Sequence, residues 1–376
     1  VNCLQRFSSA DVLTRHQHIC FSNDAQAVKM PCPGTQLHLK NYSKQIMNPI
    51  IGFADFEASM RKRSQRDENV TAGGGDGPST TLLTDQLPTT FALLFLDSRG
   101  NILYQRTYSS DTDLLETFFE TLFQCEDLLM PLLCDRKKNV PILTPDQADA
   151  HRNADTCYLC HTFFTDPQTN PKVIDHSHSS LDNGAYLGAA HNECNLARRE
   201  QKTIPIFMHN FCSYDSAFLC QGLSNSDIVA KIRRISAIPL NTEKFKTMRI
   251  NCYSFLDSLA FLNNSLANLV TELKDSNHNF PLLDKFSYLG KQPNCDKELL
   301  VRKSVYPYDW STSIEKLTRV KEFPPKEAFF NVLTETNISD LDYEHGMKMY
   351  SAFECRDFLD YCEVYCLLDV FLLAET

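Results

Sequence analysis

Asp55 and Glu57 stand one residue apart at the end of an apolar run, Pro49-Ile50-Ile51-Gly52-Phe53-Ala54-Asp55-Phe56-Glu57. On a strand, side chains two residues apart share a face, so both carboxylates would project together. Adjacent carboxylates repel unless a cation holds them. Asp215 follows a second apolar run, in His209-Asn210-Phe211-Cys212-Ser213-Tyr214-Asp215, and Asp369 lies four residues after Tyr365, on one helical face with it. Four such acids could hold two divalent cations, and metals about 3.5–4 Å apart activate a water and stabilise the leaving oxygen in phosphodiester cleavage. Oxygen donors select Mg²⁺ or Mn²⁺. Taken singly, each acid has a plainer reading: Asp-x-Glu recurs by chance, and an aspartate after a strand commonly caps a helix.

A second set is built from nitrogen and sulfur. Cys157-x-x-Cys160 pairs with His191-x-x-Cys194 across some thirty residues. Four N/S ligands suit a closed tetrahedral zinc site, which would hold together a segment too small for its own core. Cys3 and Cys20 bracket His16 and His18 near the start, a spacing that resembles a zinc finger cut through its first half; a short helix with incidental Cys and His is the alternative.

These residues need a frame. Residues 49–57 and Ile204–Met208 read as strands, Met248–Phe255 as another, and Phe91–Leu96 with Ile102–Tyr108 as a hairpin around Asp97-Ser98-Arg99-Gly100-Asn101. Helical periodicity runs from Asp111 to Leu129, from about Tyr214, from Ser265 to Leu273, and from about Phe353 to the end. Residues 60–90 read as a flexible loop around Gly73-Gly74-Gly75-Asp76-Gly77, and 275–345 as connections with short elements. The pattern is α/β with one mixed sheet. Its domain would comprise residues 49–150 and 203–376, interrupted by a Cys/His-rich insertion at 151–202 and preceded by an appendage at 1–48.

The chain has 376 residues, enough for two or three domains at roughly 100–200 residues each. A net charge of −10 argues against bulk attraction to nucleic acid, though not against a carboxylate–metal site that admits a phosphodiester. Fifteen cysteines, an odd number, fit a reducing intracellular compartment with a metal site better than a disulfide framework. No apolar run approaches the ~18 residues of a membrane span. The start at Val1 and the end at Thr376 inside an apolar helical run point to a piece of a longer protein.

Asp55-Phe56-Glu57, Asn210-x-x-x-Tyr214-Asp215 and Tyr365-x-x-x-Asp369 resemble, in that order, the three exonuclease motifs of family B DNA polymerases. Ser265-Leu266-Ala267-Asn268-Leu269 resembles a motif of the protein-primed branch that contacts single-stranded DNA and the terminal protein. Tyr306-Pro307-Tyr308, Pro324-Pro325-Lys326-Glu327-Ala328-Phe329 and Asp342-Tyr343-Glu344-His345 look like the polymerases of Maverick/Polinton-type mobile elements. The resemblance spans the whole chain and implies a ribonuclease-H-like fold with 3′→5′ exonuclease activity during DNA replication. It makes Asp55, Glu57, Asp215 and Asp369 the Mg²⁺ or Mn²⁺ ligands and Tyr365 the residue that orients the attacking water. It places Asn210, Phe211, Ser265 and Leu266 against the single-stranded 3′ end, with Phe211 or Tyr214 able to stack on a base. The implied partners are primer–template DNA, a terminal protein primer, and the palm and thumb domains of the same parent chain, in the nucleus. The palm motifs Tyr-x-Asp-Thr-Asp and Ser-Leu-Tyr-Pro are not found, so nucleotide addition lies outside these residues.

Between the Cys/His pairs, Val173-Ile174-Asp175-His176-Ser177-His178 and Asn195 resemble the HNH nucleases of the recombination endonuclease VII type, a ββα-metal fold. That resemblance implies Mg²⁺ on Asp175 and Asn195, His176 as general base and His178 assisting. His191 stands where that family has cysteine, and Leu187 where a basic residue is common. The alternatives are therefore a structure-specific endonuclease, a zinc-stapled structural insertion, or a decayed copy that only binds DNA.

Overall fold

In a computed structural model, the described residues are 7–24, 30–35, 47–62, 84–133, 141, 143–181, 184–198, 203–241 and 244–376. The chain forms two compact units, Val1–Asn41 and Tyr42–Thr376. In the first, helix α1 (Ala10–Phe21) starts at Ser9, whose side chain accepts from the Val12 amide, and the His16 ring lies 4.6 Å from that of Phe7. Cys3, on which the finger reading depends, lies outside the described residues.

The second unit is α/β, with a mixed seven-stranded sheet and helices on its faces. In chain order its elements begin with β1 (Ile50–Lys62), β2 (Thr84–Asp97), β3 (Ile102–Ser109), α2 (Leu114–Leu133) and α3 (Pro145–Asn153). They continue with β4 (Lys172–His176), β5 (Tyr186–His191), α4 (Asn192–Ala197), β6 (Ile204–Met208), α5 (Asp215–Gly222) and α6 (Ser226–Lys231). The last are β7 (Ile235–Pro239), β8 (Phe245–Ile250), β9 (Tyr253–Asp257), α7 (Leu266–Asp275), α8 (Ile314–Arg319), α9 (Asp340–Ala352) and α10 (Phe358–Glu375). The sheet order is β3-β2-β1-β6-β9-β8-β7, with β6 parallel to β1 and β9 and the other neighbours antiparallel.

The centre of the sheet is apolar on both faces. On β2, Phe91, Leu93 and Phe95 pack towards α2, whereas Ala92, Leu94 and Leu96 pack towards α10. Helix α10 is apolar around its whole circumference because it is covered twice, by the sheet and by the 280–350 segment. Asp357 caps it by accepting from the Leu359 and Asp360 amides. Gly52 is required where three strands meet: a Cβ there would lie 2.6 Å from the Phe95 ring and 2.9 Å from Ile206. Among the described residues, no helix is long and apolar enough to cross a membrane.

Several expected boundaries move. The 60–90 loop is narrower, because Met60, Arg61 and Lys62 pair with Gln86, Asp85 and Thr84 as a continuation of the hairpin; the glycine run lies outside the described residues. The single strand expected at Met248–Phe255 is two, β8 and β9, reversed at Asn251 with φ 52°. Asparagine tolerates that conformation, and a continuous apolar pattern conceals such a turn. The final helix begins at Phe358 rather than Phe353. Within the expected insertion, Lys172 Nζ donates to the carbonyls of His151, Arg152 and Ala154, tying the end of α3 to β4.

Candidate metal centres and active site

Strand β1 turns Ala54, Phe56 and Ala58 into the α2-side core, which leaves Asp55 and Glu57 on the α10 side. Helix α10 crosses there, with the Cys366 thiol 3.6 Å from the Asp55 carbonyl oxygen. One turn further, Asp369 brings its carboxylate to the same point. Oxygens of Asp55, Glu57 and Asp369 lie within 4.8 Å of one another, at the floor of a cleft of about 390 Å³. Glu57 and Asp369 are buried and Asp55 is partly exposed.

Asp215 begins α5 behind this trio. It is fully buried, does not line the cleft, and has no hydrogen-bond partner for either carboxylate oxygen among the described residues. A buried carboxylate without a donor is costly unless it is protonated or faces a cation. This orphaned acid and the all-oxygen trio fit a hard divalent cation. All four carboxyls are raised: burial is the largest cause in each, reinforced by Asp369 at Asp55, by Asp55 at Glu57 and by Asp55 at Asp215. Asp55 reaches about 7.

A residue absent from the sequence reading sits among them. Lys303 Nζ is 2.5 Å from Asp369 Oδ2 and 5.3 Å from the centre of the Tyr365 ring. Burial alone would lower its ammonium, but Asp369, Tyr308, Glu57 and Asp55 hold it above the ordinary lysine value. It comes from the 275–345 connections, where no periodicity or spacing marks it. Tyr365 is buried, and its hydroxyl meets that of Tyr308 at 3.1 Å. Asp257, also missed, holds the turn before Asp215: its carboxylate accepts from the Asn210 and Cys212 amides, with Asn210 at φ 68°.

The expected strand-binding residues divide. Leu266 and Tyr214 line the cleft, and Ser265 is exposed beside it, where its hydroxyl accepts from Asn268 to cap α7. Phe211 does not face the cleft. Its ring is fully buried and stacks on Phe255 at 6.1 Å, so it offers no face to a base. The turn that presents Asp215 points Phe211 inward.

The second centre is in the insertion. Cys157, Cys160, His191 and Cys194 bring one ligand atom each to within 4.8 Å of the others. Thr156–Phe163 forms a tight turn with His161 at φ 60°, while β5 and the start of α4 supply His191 and Cys194. The His191 Nδ1 lies 3.4 Å from Cys160 Sγ, and its Nε2 lies 3.2 Å from the Phe163 carbonyl oxygen, a partner that fixes the ring. Hydrogen bonding from Thr162 and His191 outweighs burial to draw the Cys160 thiol down to about 6. Burial and the neighbouring thiols push Cys194 up to about 12. The hydrophobic core here is Cys157, Leu159 and Ala190, too little to hold the segment without a further cross-link.

The ββα arrangement of β4, β5 and α4 is present, but the acid expected to bind Mg²⁺ is occupied. Asp175 is buried, paired with Arg198 Nε at 2.9 Å and accepting from the Tyr158 hydroxyl at 2.6 Å. The His176 and His178 rings stand 4.6 Å apart, and Asn195 lies on α4. A carboxylate neutralised by a buried guanidinium is a structural tie rather than an open metal site.

The acid cluster carries a pH dependence. Asp55, at about 7 in the fold against an ordinary 3.8, binds its proton more tightly folded than unfolded. Stability of the metal-free protein therefore falls as pH rises from about 4 to 7, and the other raised carboxyls act in the same direction. Thermal melts in EDTA are expected to show a falling Tm across that range, with Mg²⁺ at pH 8 restoring it. A Tm that rises with pH in EDTA would contradict the coupling.

Compared with protein-family models, curated proteins and solved structures, the chain matches none of them.

Proposed function

We propose that this chain is a metal-dependent 3′→5′ exonuclease with a ribonuclease-H-like fold, the exonuclease region of a protein-primed family B DNA polymerase. The convergence of Asp55, Glu57 and Asp369, from segments some three hundred residues apart, at one cleft floor beside Tyr365 carries the reading. Asp55, Glu57 and Asp369 would hold Mg²⁺ or Mn²⁺, with Asp215 behind them. When bound, the cations supply an activated water and charge for the leaving oxygen. The chain's own groups do the rest. Lys303 orients Asp369 and places a positive charge where a phosphodiester must approach four acids. The Tyr365 hydroxyl, backed by that of Tyr308, would orient the water by hydrogen bonding. Leu266 and Tyr214 wall the cleft that receives the 3′ end. Zinc on Cys157, Cys160, His191 and Cys194 would be structural. Palm and thumb domains and a terminal protein are the partners that the sequence resemblance implies.

The test uses a 5′-labelled single strand and a closed circular duplex, each with Mg²⁺ and with EDTA. A Mg²⁺-dependent ladder shortening from the 3′ end, with the circle untouched, is the expected result. Nicked circles beside an intact single strand would transfer the activity to Asp175, His176, His178 and Asn195. An unchanged single strand would sink the exonuclease reading for this chain.

A further inference from the structure

The carboxylate face of the sheet continues sideways beyond the cleft. Register carries it strand by strand: Phe53 on β1 is level with Phe207 on β6, Phe207 with Leu256 on β9, Leu256 with Thr247 on β8, and Thr247 with Ile238 on β7. Level partners share a face, and side chains two apart along a strand share it too. Asp55 and Glu57 therefore lie on the same face as Phe207, Leu256, Thr247, Arg249 and Ile238. The opposite face of these strands is different: Met248, Ile250, Tyr253 and Phe255 are sealed in the α2-side core.

On the carboxylate side, the described residues place no core over β8 and β7. Leu256 and Thr247 are half-buried, Arg249 is exposed, and Ile238 is 59% exposed. Phe261, at the end of the short 3-10 turn Ser258–Ala260 that follows β9, is 70% exposed, with its ring edge-on to Phe207 at 6.2 Å. An exposed phenylalanine beside Phe207, Leu256, Thr247 and Ile238 is a surface on which a flat ring can lie.

The charge agrees. Residues 231–249 hold six cations (Lys231, Arg233, Arg234, Lys244, Lys246, Arg249) and one acid, Glu243, in a chain of net charge −10. Lys231 and Arg233 are paired with Glu120 and Glu126 on α2. Arg234, Lys246 and Arg249 have no carboxylate partner among the described residues, and Lys244 Nζ reaches Ser213 Oγ, at 3.3 Å, two residues from Asp215. Register puts Arg249 on the carboxylate face, and Lys244 brings a further cation to the turn that carries the acid. From β1 to β7 is four strand spacings, or about 19 Å at ~4.8 Å each.

From this juxtaposition we infer that the open face of β6-β9-β8-β7 is a track for single-stranded nucleic acid, on which Phe261 stacks a base and Arg249 contacts the backbone, feeding the strand's end to the acid cleft. The track deepens the exonuclease reading and rests on it for the direction of feed. An aromatic platform with cations beside it is how strands are held without sequence preference. A net acidic chain needs such a local patch to bring a polyanion to its carboxylates.

The experiment measures binding of fluorescein-labelled (dT)₁₂ by anisotropy in EDTA, where hydrolysis cannot proceed. It also measures Mg²⁺-dependent cleavage of thymidine 5′-(p-nitrophenyl phosphate), too small to reach the track. Phe261→Ala and Arg249→Glu should each weaken (dT)₁₂ binding about tenfold, and Phe261→Trp should retain it. Arg249→Glu should also reduce the salt slope by ~0.7. Both variants should cleave the small ester like the wild type. Arg319→Glu, the same charge change at an exposed side chain of α8, should alter neither assay. Unchanged (dT)₁₂ binding in both track variants, an equal loss in Arg319→Glu, or no (dT)₁₂ binding by the wild type would each overturn the track. If the wild type cleaves no substrate while the track variants still lose (dT)₁₂, the exonuclease reading fails and the track stands.

Discussion

Asp55→Asn should abolish Mg²⁺-dependent shortening of single-stranded DNA, by roughly three orders of magnitude or more, ~4 kcal/mol of transition-state stabilisation. In the metal-free protein it should at the same time raise Tm at pH 8. The two effects share one cause. Asp55 is held beside Asp369 and Glu57 at the floor of the cleft, so its charge is unfavourable until a cation arrives. The amide keeps the shape and removes the repulsion. At roughly 2–4 °C per kcal/mol for a domain of this size, a gain of several degrees is within reach of a melt. Tm in EDTA and ladder formation in Mg²⁺ are the measurements. Activity retained in Asp55→Asn would remove the acid cluster from the chemistry. Activity lost with Tm lowered would mean that Asp55 is an ordinary structural residue, held by its hydrogen bond from the Phe56 amide.

Removing zinc should unfold the insertion and spare the sheet. A Cys₃His site contributes about 10–16 kcal/mol of apparent binding free energy at pH 7, far more than the few buried side chains of this segment supply. Purified protein is expected to carry one zinc per chain. On treatment with a strong chelator, or in Cys157→Ser, β4 and β5 should lose hydrogen-exchange protection while β1, β2 and α10 keep theirs. The module touches the sheet domain through Ser179 and Ser180, whose hydroxyls donate to the Leu132 carbonyl at the end of α2, so fraying should stop there. Full protection of β4 and β5 with no metal bound would show that Asp175, Arg198 and Tyr158 suffice to hold the segment.

Several features were legible in the residues alone because they depend on local periodicity or short spacing. The alternation that places Asp55 and Glu57 on one face, the four-residue step from Tyr365 to Asp369, and the paired Cys-x-x-Cys and His-x-x-Cys ligands all follow from the geometry of one strand, one helix and one tight turn. So do the hairpin at Asp97–Asn101 and the α/β order of elements. What the periods could not convey was contact between distant segments. Phe211 reads as an aromatic poised at a site, yet the turn locked by Asp257 rotates it into the core. Asp175 reads as a metal ligand, yet Arg198, twenty-three positions on, occupies it. Lys303 reads as one lysine among many in an aperiodic stretch, yet the covering of α10 brings it to Asp369. The residue types and their local spacing determined which groups could do chemistry here and what chemistry it would be. Only the tertiary structure decided which of those groups meet, because burial and the choice of partner arise when sheet, helix and connecting segments close on one another and each charge takes the nearest group able to compensate it.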